Sequence, residues 1–259
     1  MDLGLKGKRA LVTGASAGLG AAAAMALAAE GAVVAINSRS RERLQTTAER
    51  IAAKAGHAPA IVMGDVSKDD DVRRIAEEAG PIDILISNAG GPPPGQFLEL
   101  PREQWREAAD LVLFSAINLV RSVMDHMLRQ RWGRVIFLTS VGVLQPIDEL
   151  ILSNSFRSAV TGLCKTLSNN YARDGVTFNC ICPGYTATER LQSLAKSRAE
   201  VSGRTPQEVL QGFAEMIPAR RVGQPDELGA LVAFLAGEKA AYITGASIPI
   251  DGGFHKGLL

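Results

Sequence analysis

Thr13-Gly14-Ala15-Ser16-Ala17-Gly18-Leu19-Gly20 stands between a short apolar run, Arg9 to Thr13, and an alanine-rich stretch, Gly18 to Glu30. The run reads as a strand. The stretch reads as a helix made of the best helix former. Glycines at such a junction let the backbone turn tightly and approach a ligand closely. The helix that follows aims its unpaired N–H groups at the turn. A strand–glycine turn–helix unit suits the pyrophosphate of a dinucleotide. By itself it also suits a purely structural tight turn.

The same alternation continues outward along the chain. Ala32 to Asn37, Ala60 to Gly64, Ile82 to Ser87, Arg134 to Ser140, Thr177 to Cys182 and Ser247 to Ile250 read as strands. Arg41 to Ala55 is an amphipathic helix. Ser67-Lys68-Asp69-Asp70 fits a helix-starting cap, and Pro101 can open a long helix reaching about Arg131. Gly90 to Gly95, with three prolines, is a rigid loop. Ile151 to about Arg173 and Glu227 to Ala236 are further helices. Continuous apolar strands separated by helices predict a parallel sheet covered on both faces. The expected fold is a single doubly wound α/β (Rossmann) domain over residues 1–259, with about seven parallel strands. Thr188 to Pro218 departs from the pattern, being polar and weakly helical. It is expected to form a substrate lid above the strand ends, where ligands bind in such sheets.

Composition narrows the class. A net charge of +1 over 259 residues gives no footprint for nucleic acid or an anionic membrane. No wholly apolar run approaches the ~20 residues that span a bilayer. Lys6, Lys8 and Arg9 lead into a strand rather than a secretory h-region, so the cytoplasm is the expected location. Of three cysteines, Cys180 and Cys182 share one face of a strand and read as buried structural thiols. His57, His126 and His255 are scattered, and no metal site is expected.

Six motifs occur in a fixed order: Thr-Gly-x-x-x-Gly-x-Gly from Thr13, then Asp65-Val66, Asn88-Ala89-Gly90, and Ser140. Pro183-Gly184 with Thr188 follows, and Asp251-Gly252-Gly253 is last. In these the whole chain resembles the short-chain dehydrogenase/reductase family, and most of all its 3-oxoacyl-carrier-protein reductase type. The resemblance implies a coenzyme site of Gly14, Ser16, Gly18, Leu19 and Gly20, with Asp65 and Val66 flanking the adenine. Asn88, Ala89 and Gly90 would follow the adenosine ribose. Pro183, Gly184, Thr186 and Thr188 would hold the nicotinamide amide. The second strand ends in Ser38-Arg39, where enzymes that use NAD usually place an acid. An acid would repel a 2′-phosphate, whereas Arg39 could pair with it, so NADP(H) is expected over NAD(H). Arg39 also suits a solvated helix start.

The same resemblance marks a departure. Family members protonate or deprotonate substrate with a tyrosine, beside a lysine that lowers its pKa from ~10. A serine adds a second hydrogen bond, and an asparagine holds a relay water. Ser140 matches the serine, but the tyrosine position falls on Ser153, the lysine position on Arg157 and the asparagine position on Val112. An alkyl hydroxyl donates hydrogen bonds but is a poor acid, and a guanidinium keeps its proton near neutrality. Arg157 could hold the nicotinamide ribose, supply positive potential, or grip an acidic substrate. It could equally make a structural bond with Asp148, Glu149 or a nearby carbonyl. Tyr185, Asp148, Glu149, Tyr171 and His126 are alternative proton donors. Each also has a plain reading, as cleft wall, solvated loop charge or packing residue.

Three functions fit. One is an NADP(H)-dependent oxidoreductase that reduces a carbonyl (a 3-oxoacyl thioester among them) or oxidises an alcohol, using Ser140, Ser153 and Arg157. Another is a nucleotide-binding protein without turnover, serving as a sensor or oligomer partner. The third is a non-redox enzyme whose Arg157 binds an acidic substrate. The long helices at Arg102 to Arg131 and Ile151 to Arg173 resemble those that pair family members into tetramers, so a homotetramer or dimer is expected.

Overall fold

A computed structural model describes residues 1–258. Seven strands form one sheet: β1 (Arg9–Val12), β2 (Val33–Ser38), β3 (Ala60–Met63), β4 (Ile84–Ser87), β5 (Gly133–Leu138), β6 (Val176–Pro183) and β7 (Ser247–Ile250). Their order is β3-β2-β1-β4-β5-β6-β7, and every pairing is parallel. This is the doubly wound sheet expected from the alternating pattern. The strand order reverses between β1 and β4, so the loops after these two strands part and leave a crevice above their carboxyl ends.

Among the described residues there are nine α-helices: α1 (Gly18–Ala29), α2 (Arg41–Ala55), α3 (Asp69–Ala79), α4 (Arg102–Ala109), α5 (Ser115–Gln130), α6 (Ile151–Tyr171), α7 (Glu189–Ser202), α8 (Pro206–Met216) and α9 (Pro225–Ala236). Successive strand residues point to opposite faces. Ala10 and Val12 of β1 therefore pack with Leu27 of α1, Leu44 of α2 and Val232 of α9 on one side. Leu11 packs with Ile75 of α3, Val123 of α5 and Val160 of α6 on the other.

Some expected boundaries differ. β5 stops at Leu138 rather than Ser140, because the chain turns there into a short 3-10 segment, Val141–Val143. Pro101 precedes the first residue of α4 instead of occupying it. The long helix it opens is broken by a π turn, Asp110–Phe114. The Ser115 hydroxyl donates to the Leu111 carbonyl at 2.5 Å, while the Ser115 N–H bonds the Asp110 carbonyl five residues back. Ser67 does not cap α3; its hydroxyl donates to Asp65 Oδ1 at 2.8 Å. The Ile151 helix ends at Tyr171, and a 3-10 turn follows. Arg102–Gln130 is long enough and apolar enough over one window to cross a bilayer. Its apolar side is already used, since Leu119, Val120, Val123 and Met127 pack on the sheet.

The largest revision concerns 188–218. The segment is not weakly helical; it forms α7 and α8. The Thr188 hydroxyl accepts from Leu191 N at 3.3 Å, and Thr205 with Glu208 makes a reciprocal capping box. The two helices share a small core of Leu191, Ala195, Ala199, Val209 and Phe213. An isolated bridge, Thr186 to Gly223, closes the base of this excursion.

Asp83 fastens the opposite end of the sheet. Its carboxylate accepts from Arg9 N at 2.8 Å and Gln130 Nε2 at 2.7 Å, and it meets His126 Nε2 at 3.0 Å. Burial pushes its pKa up, but the Arg9 amide, His126 and Gln130 outweigh that and hold it below the usual value. A carboxyl lowered on folding stabilises the protein above its unfolded pKa and ceases to as pH falls through its folded one. Stability should therefore decline below about pH 4. Asp83→Asn should cost about 1–3 kcal/mol at neutral pH and give a shallower acid limb, read by urea unfolding across pH. Equal acid sensitivity in both proteins would count against this linkage.

Candidate active site

The crevice at the β1/β4 reversal has two connected lobes meeting at the glycine turn. One, of about 350 Å³, takes in Gly14, Gly18 and Leu19 from the turn. Asn88, Ala89 and Gly90 after β4 line it, as do Ser140, Ser153 and Arg157. Pro183, Gly184, Thr186 and Thr188 close its far wall. The other, of about 450 Å³, is lined by Ser16, Ser38, Arg39, Asp65 and Val66, again with Asn88, Ala89 and Gly90. Gly20 lines neither lobe. It lies beneath the turn, where a Cβ would come within 2.3 Å of the Gly14 carbonyl oxygen. It packs α1 closely on the turn.

The cradle suits a dinucleotide. Gly14 and Gly18 have φ of 57°, a conformation that favours glycine. Ala17, at the start of α1, has no capping side chain, so the first amides of the helix stay open to the crevice. Asn88 braces the two lips, its Nδ2 donating to the carbonyls of Thr13 (3.3 Å) and Gly14 (3.1 Å). A Cβ on Gly90 would meet nothing within 4 Å, so this backbone faces open space.

At the second lobe, β2 ends without an acid. Arg39 is 77% exposed and its Nη1 lies 3.8 Å from Asp65 Oδ2. Asp65 is itself held by Ser67, through N–H at 3.0 Å and the hydroxyl. Arg43, in the first turn of α2, also lines this lobe and pairs with Glu189 of α7 across the crevice. Its place on a charged surface helix gave no sign of that.

The first lobe holds the substituted residues. Ser140 leads the 3-10 turn, and its Oγ accepts from Gly142 N at 3.0 Å. Asn154 of α6 donates to the Ile147 carbonyl at 2.9 Å, tying the loop after this turn to the helix. Ser153 and Arg157 are one turn apart on α6, so they share a face. Arg157 Nε donates to Ser153 Oγ at 3.2 Å, Nη1 to the Leu138 carbonyl at 2.8 Å, and Nη2 to the Ala89 carbonyl at 3.4 Å. Both residues are 9% exposed. Burial pulls the guanidinium down to about 10, with the like charge of Arg190 adding to the effect. Arg157 thus binds carbonyls and a hydroxyl, not Asp148 or Glu149. Val112 is buried in the π turn and shares a cavity of about 20 Å³ with Arg157.

Of the other donor candidates, among the described residues, Tyr185 alone lines the first lobe, and Asp148 lines neither lobe. Tyr185 lines the first lobe with its ring stacked on Phe213 (centroids 4.5 Å apart, planes at 10°), and burial raises its pKa. Tyr171 packs against Phe178, and His126 is bound to Asp83. Glu149 faces Arg198 at 4.0 Å, in a separate groove beside α7 and α8. All three cysteines are buried and unpaired. Sequence patterns also missed Arg190, Leu191 and Leu194, which α7 brings into the first lobe.

Comparison with known proteins agrees with this architecture. The family described as "Enoyl-(Acyl carrier protein) reductase" matches residues 14–255. Oxidoreductase UcpA of Salmonella typhimurium is 35% identical over 255 residues, covering 96% of this chain and 95% of that protein. The 3-oxoacyl-(acyl-carrier-protein) reductase FabG of Staphylococcus epidermidis is 32% identical over 253 residues, covering 96% and 99%. Among solved structures, L-sorbose reductase from Gluconobacter frateurii, complexed with NADPH and L-sorbose, superposes with a TM-score of 0.95. It is 32% identical, with full coverage of both chains. YwfH, an NADPH dependent reductase involved in bacilysin biosynthesis, gives a TM-score of 0.91 at 29% identity, covering 98% and 100%. The chain belongs to the short-chain dehydrogenase/reductase family of oxidoreductases, among its members resembling 3-oxoacyl-carrier-protein reductase.

Proposed function

We propose that the protein is an NADP(H)-dependent carbonyl reductase or alcohol dehydrogenase with an atypical active site. The observation that carries this is the state of two hydroxyls in the first lobe. Ser140 Oγ receives the Gly142 amide, and Ser153 Oγ receives Arg157 Nε. Each oxygen accepts from a fixed donor, which leaves each hydroxyl proton to be given to a third atom. Two such donors suit an oxygen on which negative charge gathers. Bound nicotinamide would supply or accept the hydride. Ser140 orients the substrate oxygen, and Ser153 adds a second bond polarised by the guanidinium behind it. Neither hydroxyl is an acid near neutral pH, so water in the open lobe completes the proton transfer.

The coenzyme would lie across both lobes. Gly14, Ser16, Gly18 and Leu19, with the open amides of α1, would take the pyrophosphate. Asp65 and Val66 would flank adenine, and Asn88, Ala89 and Gly90 the ribose. Pro183, Gly184, Thr186 and Thr188 would hold the carboxamide. Ser38 leaves room for a 2′-phosphate, with Arg39 and Arg43 able to pair with it. The L-sorbose reductase complexed with NADPH and the NADPH dependent YwfH support this preference. On the same reading the chain is one domain whose lid spans about 188–218. It works in the cytoplasm on a small carbonyl or alcohol, with 3-oxoacyl thioesters a candidate class from the FabG relative. Copies would pair into a homotetramer or dimer through the long helices, where Phe114 is an exposed apolar residue.

Fluorescence titration tests the coenzyme. NADPH should bind more tightly than NADH, and Arg39→Ala should cut that preference about tenfold. Equal or tighter NADH binding would overturn the preference. A screen of ketones, 3-oxoacyl thioesters and alcohols at the nicotinamide absorbance band tests turnover. Binding without turnover across that panel would leave a nucleotide-binding protein instead.

A further inference from the structure

Two guanidiniums face the first lobe, and among the described residues neither has a carboxylate partner. Arg157 uses three of its five N–H groups on two carbonyls and the Ser153 hydroxyl. Arg190 makes one bond, Nη2 to the Pro92 carbonyl at 3.1 Å, and its side chain lines the lobe. The adjacent Glu189 does not neutralise it, because that side chain is turned to Arg43. Arg190 also sits in the first turn of α7, the positive end of a helix, where a cation is disfavoured. The two cations are near enough for Arg190 to depress the pKa of Arg157. Positive charge thus converges on one wall with no fixed anion to meet it.

The pyrophosphate of a coenzyme does not account for this charge. The glycine turn and the uncapped start of α1 already serve that group. Arg190 reaches past the turn to Gly91 and Pro92; a Cβ on Gly91 would lie 2.5 Å from its Nη2. That places the fork in the lobe shared with Ser140, Ser153 and Tyr185.

We infer that the substrate is an oxo acid, or the hydroxy acid it yields. Ser140 and Ser153 hold its carbonyl, and Arg190, backed by the charge of Arg157, grips its carboxylate. A guanidinium fork matches a carboxylate with two parallel bonds. The inference rests on the reductase reading, but its carboxylate site is tested without turnover.

The first measurement uses protein saturated with NADPH and titrates oxalate, malonate and succinate, read by coenzyme fluorescence. At least one should bind, and Arg190→Met should weaken it about tenfold to hundredfold, with Arg190→Lys retaining part. The second compares α-, β- and γ-oxo acids with their methyl esters. One acid should exceed its ester in kcat/KM by about tenfold to hundredfold, and Arg190→Met should bring it down to the level of the ester. Absence of dicarboxylate binding, or esters reduced as well as acids, overturns the inference. So does an Arg190→Met protein that loses NADPH affinity while keeping dicarboxylate affinity; the arginine would then serve the coenzyme. Dicarboxylate binding that depends on Arg190, with no turnover of any acid, would sink the reductase reading and leave the carboxylate site standing.

Discussion

Ser140→Ala is expected to lower kcat/KM by about 10²–10³ and to leave NADPH affinity within a factor of about two. Ser140 is the hydroxyl whose position the backbone fixes: it leads the 3-10 turn after β5, and the Gly142 amide holds its oxygen. Removing it takes away one of two donors aimed at the developing charge and disturbs no strand. Ser153→Ala should cost less, about tenfold, because Arg157 loses a hydroxyl acceptor but keeps both carbonyls. Steady-state kinetics on both variants separates the roles. If Ser153→Ala were the more damaging, Ser153 would be the principal donor and the assignment would reverse. The double change Ser153→Tyr with Arg157→Lys should raise the rate, since it returns a phenol beside an ammonium.

Gly20→Ala is expected to cost about 1–3 kcal/mol of stability and to weaken coenzyme binding at least about tenfold. The new methyl would lie 2.3 Å from the Gly14 carbonyl oxygen and 2.9 Å from Asn88 Nδ2. The first is backbone and cannot swing aside. The second belongs to the brace between the lips of the crevice, so relief in either direction opens the glycine turn. Thermal unfolding with and without NADPH reads both effects. A variant that melts normally and is stabilised normally by NADPH would show that the turn has slack absent from this packing.

The sheet was legible because short apolar strands alternate with longer stretches of helix formers. The glycine turn was legible because only a few residues tolerate its backbone. Ser153 and Arg157 lie one turn apart on α6 and share a face, which lines the same lobe as Ser140. Residues 188–218 were misread as weakly helical because their stability comes from caps at Thr188 and Thr205 and from five residues packed on each other. Arg43 and Arg190 were missed altogether. Each sits in an ordinary charged helix turn, and only the folded chain shows that both lean over the same crevice.

The excursion carrying α7 and α8 keeps its own interior, and its two ends meet at the bridge between Thr186 and Gly223. Such a piece behaves as a cassette. Substitutions beyond its root can reshape the first lobe at Arg190, Leu191 and Leu194 while Thr188, at the root, stays beside Gly18, so what the chain accepts as substrate can drift while its grip on coenzyme stays put.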